Sequence, residues 1–290
     1  TLSSSSAASD VYKRQRLIHC RVSGFGANGP LGGAPGYDAV AQALGGLMSV
    51  NGTPDTGALR VGVPVVDIAT GLSAVIGVLL AVIERQRSGR GQFVEATLYD
   101  TAVSLLHPQS ANWLQSGQTP TLSGNAHSNI VPYDKFPTQT CEVFLGIGNN
   151  GQWKKLCEFL GRPELAEEPR FATNADRLQH RDALRALLEE HLLKVDGEWL
   201  CQELLAAGIP AGAVRTVPQV LTAPHTLHRD MVVQVEGMSG IGIPVKLSRT
   251  PGRAHSAPPR FGQHTRELLL EHGYGVATID ALIARGTVQQ

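Results

Sequence analysis

The residue best suited to covalent chemistry is Asp67, in the run Gly62-Val63-Pro64-Val65-Val66-Asp67-Ile68-Ala69-Thr70-Gly71. The apolar stretch Val61–Val66 stops at this aspartate, and a helical period of apolar residues follows it. The pattern predicts a strand ending, and a helix beginning, at Asp67. A carboxylate there lies on the partial positive charge of the helix N-terminus. That favours the ionised form a nucleophile requires. The same place suits a plain N-cap, for which Asp is a preferred residue. Local pattern leaves both roles open, the cap being the simpler.

A second constellation is Gly146-Ile147-Gly148-Asn149-Asn150-Gly151-Gln152. It spells G-x-G-x-x-G between an expected strand, 142–147, and an expected helix, 152–160. A dinucleotide site also needs a second parallel strand ending in an acidic residue about 20 positions on. Glu167 and Glu168 fall near that distance, but in the Pro-flanked run PELAEEPRF with no strand before them. NAD or FAD is therefore not the expected ligand. A structural turn stays open.

Other polar residues carry less. His127 and Asn125 stand in a polar loop and either line an acyl pocket or lie on the surface. Asp38, Glu95 and Asp100 read as caps or surface charges. His225 and His228 are three apart, but no helix and no carboxylate pattern is evident around them, so no metal is expected. Cys20, Cys141, Cys157 and Cys201 form no C-x-x-C and read as reduced thiols.

The elements that must position these groups follow from periodicity. Strands are expected at 16–23 and 92–97, and short helices at 37–48 and 100–114. Between them Ile68, Leu72, Val75, Ile76, Leu79, Leu80 and Ile83 recur at threes and fours. That run reads as a buried core helix, and its 16 residues are fewer than the roughly 20 needed to cross a bilayer. The chain is loop-like over 116–136. A further unit has a strand at 142–147, helices at 152–160, 181–194 and 197–207, and the Ala211–Arg215 run. A strand pair near 232–235, a Pro-rich tract at 244–259, a helix at 265–272 and a short tail complete it. Alternating strands and helices predict an α/β fold.

Composition sets bounds. The 290 residues are 42% hydrophobic, with 25 basic and 25 acidic side chains and no net charge. A balanced chain lacks the basic excess expected for nucleic acid or an anionic membrane surface, so neither is an expected partner. Thr1–Gln15 (TLSSSSAASDVYKRQ) is Ser-rich, ends basic and lacks the apolar core of a signal peptide. It is expected to be a leader foreign to the fold, on a truncated product.

The stretch Gly62–Asp100 resembles the signature of the class III CoA-transferases, the family of formyl-CoA and carnitine CoA-transferases. The resembling elements are Asp67 with Gly71, the helix with Gly77, and a turn with Arg85 or Arg87, Gly89, Gly91 and Gln92. Ser23–Gly26 with Gly29-Pro30, Gly36-Tyr37-Asp38, Gly45–Met48, Gly124-Asn125 to Pro132-Tyr133, Gly148–Trp153 and Gly262–Thr265 extend it from Arg16 onward, in order.

The resemblance implies a Rossmann-like large domain, incomplete here at its N-terminal part, plus a smaller α/β domain in an interlocked homodimer. The expected boundaries are 16–116 for the large domain, 117–225 for the small one and 226–290 for a return segment. It implies that Asp67 is the nucleophile, that Ala34, Pro35, Gly36 and Tyr37 contact CoA, and that Gly148, Asn149, Asn150, Gly151 and Gln152 form a mobile loop keeping water off the reacting carboxylate. Acyl-CoA and a carboxylic acid would be the substrates, with CoA itself a substrate and no permanently bound cofactor, in the cytoplasm. Racemases of the same fold carry a His about 30 residues before the Asp, where this chain has Tyr37. Tyr, with a pKa near 10, is a poor neutral-pH base. An acyl-CoA racemase and a non-catalytic CoA-binding or scaffold chain remain the alternatives.

Overall fold

Strand β1 (His19–Ser23) pairs in parallel with β4 (Phe93–Thr97), from His19 opposite Phe93 to Ser23 opposite Thr97. Between them in the chain come helix α1 (Asp38–Leu44), a hairpin of β2 (Gly52–Thr53) and β3 (Gly57–Ala58), and helix α2 (Val65–Ser88). A parallel pair requires such a crossover. The computed structural model describes residues 15–290, in two units, one running to Ala213 and the other Val214–Gln290.

Several expected elements change at Gly and Pro. The helix expected at 37–48 ends at Leu44, because Gly46 turns left-handed at φ 85° and a 3-10 turn, Leu47–Val50, follows. The strand expected at 61–66 does not form: Pro64, which has no N–H, is the N-cap of α2. Pro108 splits the helix expected at 100–114 into α3 (Leu98–Ser104) and α4 (Gln109–Ser116).

Helix α2 is 24 residues and stops where Gly89 adopts φ 74° and donates its N–H to Arg85 O. Its buried side is small: Val66, Thr70, Ala74 and Ala81 are covered, and a Cβ on Gly77 would stand 2.7 Å from Val94 Cγ1. The stripe Ile68, Leu72, Val75, Ile76, Leu79, Leu80 and Ile83 is exposed. The helical period is real, but the bulky side faces away from the sheet, which corrects the expectation of a buried helix. The length is corrected too. Its most apolar 18 residues have mean hydropathy 2.3, enough by length and composition alone to cross a membrane, a test that core helices of soluble proteins also pass.

A separate core lies over 131–213. Strands β5 (Tyr133–Pro137), β6 (Glu142–Gly146) and β7 (Ala211–Ala213) form an antiparallel sheet in the order β5-β6-β7. Helices α5 (Asn150–Phe159), α6 (Asn174–Gln179), α7 (Arg181–Leu192) and α8 (Gly197–Ala206) accompany it. Phe136, Val143, Leu145, Trp153, Leu156, Leu184, Leu188, Leu200 and Leu204 fill the core. Truncating any one of these leucines to Ala would cost about 2–5 kcal/mol. Strand β5 arises inside a region expected to be loop, where prolines at both ends hide its short alternation. Helix α6 was not expected from the sequence; it opens on a capping box, Thr173 with Asp176.

The second unit holds α9 (Val217–Leu221), α10 (Pro224–His228), the hairpin of β8 (Val232–Val235) and β9 (Met238–Ile241), α11 (Thr265–Glu271) and α12 (Val276–Ala284). His225 and His228 do sit on a helical turn, α10, contrary to expectation. The expected tail contains α12, whose Ile279 is buried.

Candidate active site

The site grows from the first turn of α2. Its early N–H groups precede the intrahelical ladder and need outside acceptors. Val65 N–H donates to Val63 O (2.8 Å), and the ladder begins with Ile68 N–H to Pro64 O (3.1 Å). Between them, Val66 N–H (2.8 Å) and Asp67 N–H (3.2 Å) both donate to Asp38 Oδ1. The cap of α2 is therefore the side chain of Asp38, supplied from the first residue of α1. Asp67, third residue of the helix, caps nothing and is exposed.

Asp38 is itself buried and braced. Gln42, fully buried one turn on, donates Nε2 to Asp38 Oδ2 (2.6 Å). Gln42 Oε1 in turn accepts Val61 N–H (2.8 Å). Both ends of the segment before Asp67 thus hang on one face of α1. Sequence reading missed this pair, although an Asp and a Gln four apart on a helix face each other.

The run Ala34–Tyr37 enters α1 past the carboxyl end of β1. There the Gly24 and Gly36 backbones touch: a Cβ on Gly36 would come within 2.7 Å of Gly24 Cα, and one on Gly24 within 2.8 Å of Gly36 Cα. Tyr37 follows with 77% of its surface exposed. The next residue, Asp38, accepts the Asp67 N–H, which brings the start of α1 beside the start of α2. In open α/β sheets, ligands bind beside the carboxyl ends of strands. Pro35 is exposed, and Ala34 and Gly36 are half-buried.

The glycine-loop residues lie over the other core. Gly148 N–H donates to Gln152 Oε1 (2.8 Å) and Gln152 N–H to Asn149 Oδ1 (2.9 Å), so Asn149 caps α5. Asn150 Oδ1 accepts from Arg177 Nη2 (2.9 Å). Arg177, fully buried, also donates to Val131 O (2.6 Å) and Phe171 O (2.9 Å) and lies over the Trp153 ring. Among the described residues no hydrogen bond joins this loop to Asp67. The preceding strand, β6, is paired only in antiparallel fashion, so the G-x-G-x-x-G spelling lacks the parallel unit of a dinucleotide fold.

His127 lines an open polar cleft of about 700 Å³ with Gln115, Ser123, Asn129 and Arg181. Its carbonyl accepts from Arg181 Nη2 (2.8 Å), and its ring packs edge-on to Tyr133 at 5.3 Å. Asn125 is not among the cleft's lining residues. No group of three or more metal-ligating side chains occurs among the described residues.

The comparisons with known proteins agree in direction. The family model for CoA-transferase family III matches residues 9–265. Succinate–glutarate CoA-transferase of Agrobacterium fabrum is 35% identical over 265 residues, 88% of this chain and 65% of that protein. Succinyl-CoA:glutarate CoA-transferase of Mus musculus is 33% identical, over 94% of this chain and 64% of its own length. The chain thus spans somewhat less than two thirds of both relatives. A crystal structure of a CaiB/BaiF family protein from Brucella suis superposes with a TM-score of 0.78 at 38% identity, covering 89% of this chain and 68% of that one. A match over most of the chain, with these relatives and this fold, decides the family: the chain belongs to CoA-transferase family III.

Proposed function

We propose that the protein carrying this sequence moves coenzyme A between carboxylic acids, with Asp67 as the covalent nucleophile. The observation that carries the reading is an exposed carboxylate in the first turn of α2 that is relieved of capping by Asp38, within a chain of this family. The named substrates of the Agrobacterium and mouse relatives, succinate and glutarate, make dicarboxylates the first acids to test.

In the first step an Asp67 oxygen attacks the thioester carbonyl, expelling CoA thiolate and forming a mixed anhydride. The thiolate then attacks the aspartyl carbonyl, releasing the donor acid and leaving an aspartyl-CoA thioester. The acceptor carboxylate attacks that thioester, expels the thiolate and forms a second anhydride. The thiolate takes the acceptor's acyl group and restores the Asp67 carboxylate. Each step exchanges one carbonyl bond for another with no net proton, the division of labour of covalent catalysis. Both intermediates hydrolyse readily, so water must be kept away. We assign that shielding to Gly148, Asn149, Asn150, Gly151 and Gln152, and contacts to CoA to Ala34, Pro35, Gly36 and Tyr37. The wider proposal is a cytoplasmic homodimer with domains at 16–116, 117–225 and 226–290.

The test is intact-protein mass spectrometry of the full-length protein after rapid quench with succinyl-CoA. A CoA adduct mapping to the Asp67 peptide, cleaved by hydroxylamine and absent in Asp67→Ala, is expected. Turnover by a folded Asp67→Ala would overturn the assignment.

A further inference from the structure

We infer that Asp38 and Gln42 are positioning residues for the Asp67 nucleophile, an inference that rests on the reading of Asp67 given above. Both side chains are buried beside the backbone of Asp67: Gln42 has no exposed surface and Asp38 only 9%. A buried carboxylate and a buried amide are costly unless their hydrogen-bonding groups are met. Here they are met mainly by the segment that delivers Asp67. Asp38 Oδ1 takes the N–H groups of Val66 and Asp67, and Gln42 Oε1 takes that of Val61. Gln42 Nε2 closes the circuit on Asp38 Oδ2.

The consequence is geometric. The Asp67 N–H shares its Cα with the side chain that would attack, so fixing that N–H fixes the origin of the carboxylate. Pro64 contributes no side-chain acceptor as N-cap, so no local group replaces Asp38. The arrangement holds the Asp67 backbone through each covalent state of the cycle, when its carboxylate is alternately free and acylated. Orientation of this kind is rate-determining in principle: a displacement near 1 Å can cost about 100-fold.

The pair also has a direction, which makes it testable by exchange. Asp38→Asn can still accept the two helix N–H groups, but its amide then faces the Gln42 amide. If Gln42 turns to offer its oxygen, its NH2 confronts Val61 N–H, and one link is lost either way. Gln42→Glu alone sets two carboxylates against each other. Combining Asp38→Asn with Gln42→Glu restores a donor facing an acceptor at every link, with the charge moved one turn along α1.

The experiment measures the rate of CoA adduct formation at Asp67 by quenched mass spectrometry, with KM for succinyl-CoA and thermal melting recorded alongside, in full-length protein. Asp38→Asn is expected to slow adduct formation by tenfold to 100-fold at little change in KM, and the double variant to recover most of that loss. A folded Asp38→Asn or Asp38→Ala that forms adduct at the wild-type rate would overturn the inference. So would a double variant that regains melting temperature but no rate, since the pair would then serve stability alone. If Asp38→Ala does not fold, the exchange pair still decides the point. An adduct missing from wild type would instead overturn the reading of Asp67, and this inference with it.

Discussion

Arg177 Nη2 donates to Asn150 Oδ1 across 2.9 Å, tying the first residue of α5 to a guanidinium with no exposed surface. The same guanidinium holds Val131 O and Phe171 O and lies 5.3 Å from the Trp153 ring centre. Burial pushes its pKa below the ordinary arginine value, with Cys157 and then Asp176 acting against that shift. Arg177 is thus the post on which the Gly148–Gln152 turn is mounted.

Arg177→Met keeps most of the volume and removes the donors. Three carbonyls (Val131, Phe171 and, at 3.4 Å, Ala172) and the Asn150 amide oxygen lose this donor, at about 1–3 kcal/mol for each left unsatisfied. The expected result is a loss of at least about 2 kcal/mol in urea unfolding, and faster amide exchange at 148–152 in the native protein. Unchanged stability would mean that water or neighbouring donors replace the guanidinium.

Gly36 supplies a second prediction, from the backbone contact with Gly24. Gly36→Ala must push two chain segments apart, because the obstructing atom is a Cα and not a flexible side-chain end. Overpacking of this kind costs about 1–3 kcal/mol. The shift is delivered to Tyr37, the next residue. Lower thermal stability with altered Tyr37 fluorescence or reactivity is expected, whereas Pro35→Ala, one residue away and exposed, should be near neutral.

Much of this was legible in sequence, for physical reasons that differ by element. The helix carrying Asp67 announces itself by its apolar period, since a 3.6-residue repeat survives any tertiary context. Which side it buries does not, because Thr70, Ala74, Gly77 and Ala81 also recur along one face and are the ones covered. The start of that helix was misplaced by two residues, because a proline cap looks like strand in an apolar run. Asp38 reads in sequence as a cap or a surface charge, and the helix it caps could not be named: the hydrogen bonds span 28 and 29 positions. The family resemblance is what proposes Asp67 as nucleophile, whereas the spacing alone leaves cap and nucleophile undecided. Only the geometry moved the cap to Asp38.

Tyr37 separates two reactions on this fold. It is exposed, and the resemblance to racemases of this fold would put their second base at this position. A phenol is a weak base at neutral pH. In deuterated water, the full-length protein is expected to leave the α-hydrogen of a 2-methylacyl-CoA unexchanged over many transferase turnovers. Rapid deuterium incorporation without CoA transfer would favour racemisation.

Cys157, on the buried face of α5, supplies the last prediction. Burial pushes its thiol from an ordinary value of 9.0 up to about 12, against an opposing pull from Arg177. In the folded protein the thiol therefore keeps its proton through a range in which the unfolded chain loses it. Between about pH 9 and pH 12 the native state binds more protons than the unfolded state, so stability falls as pH rises. More than about a pH unit below 9 this thiol contributes almost no slope, because both states hold the proton. Urea unfolding at pH 8 and at pH 10 should show the decline, and Cys157→Ala should flatten the part of it that this group supplies, apart from its own cavity cost at both pH values. Alkylation gives an independent check, since the thiolate is the reactive form. Iodoacetamide at pH 8.5 should label Cys20 and Cys141, both partly exposed, well before Cys157. Prompt labelling of Cys157 in folded protein would show that α5 opens far more readily than its fully buried Leu156 and Trp153 neighbours imply.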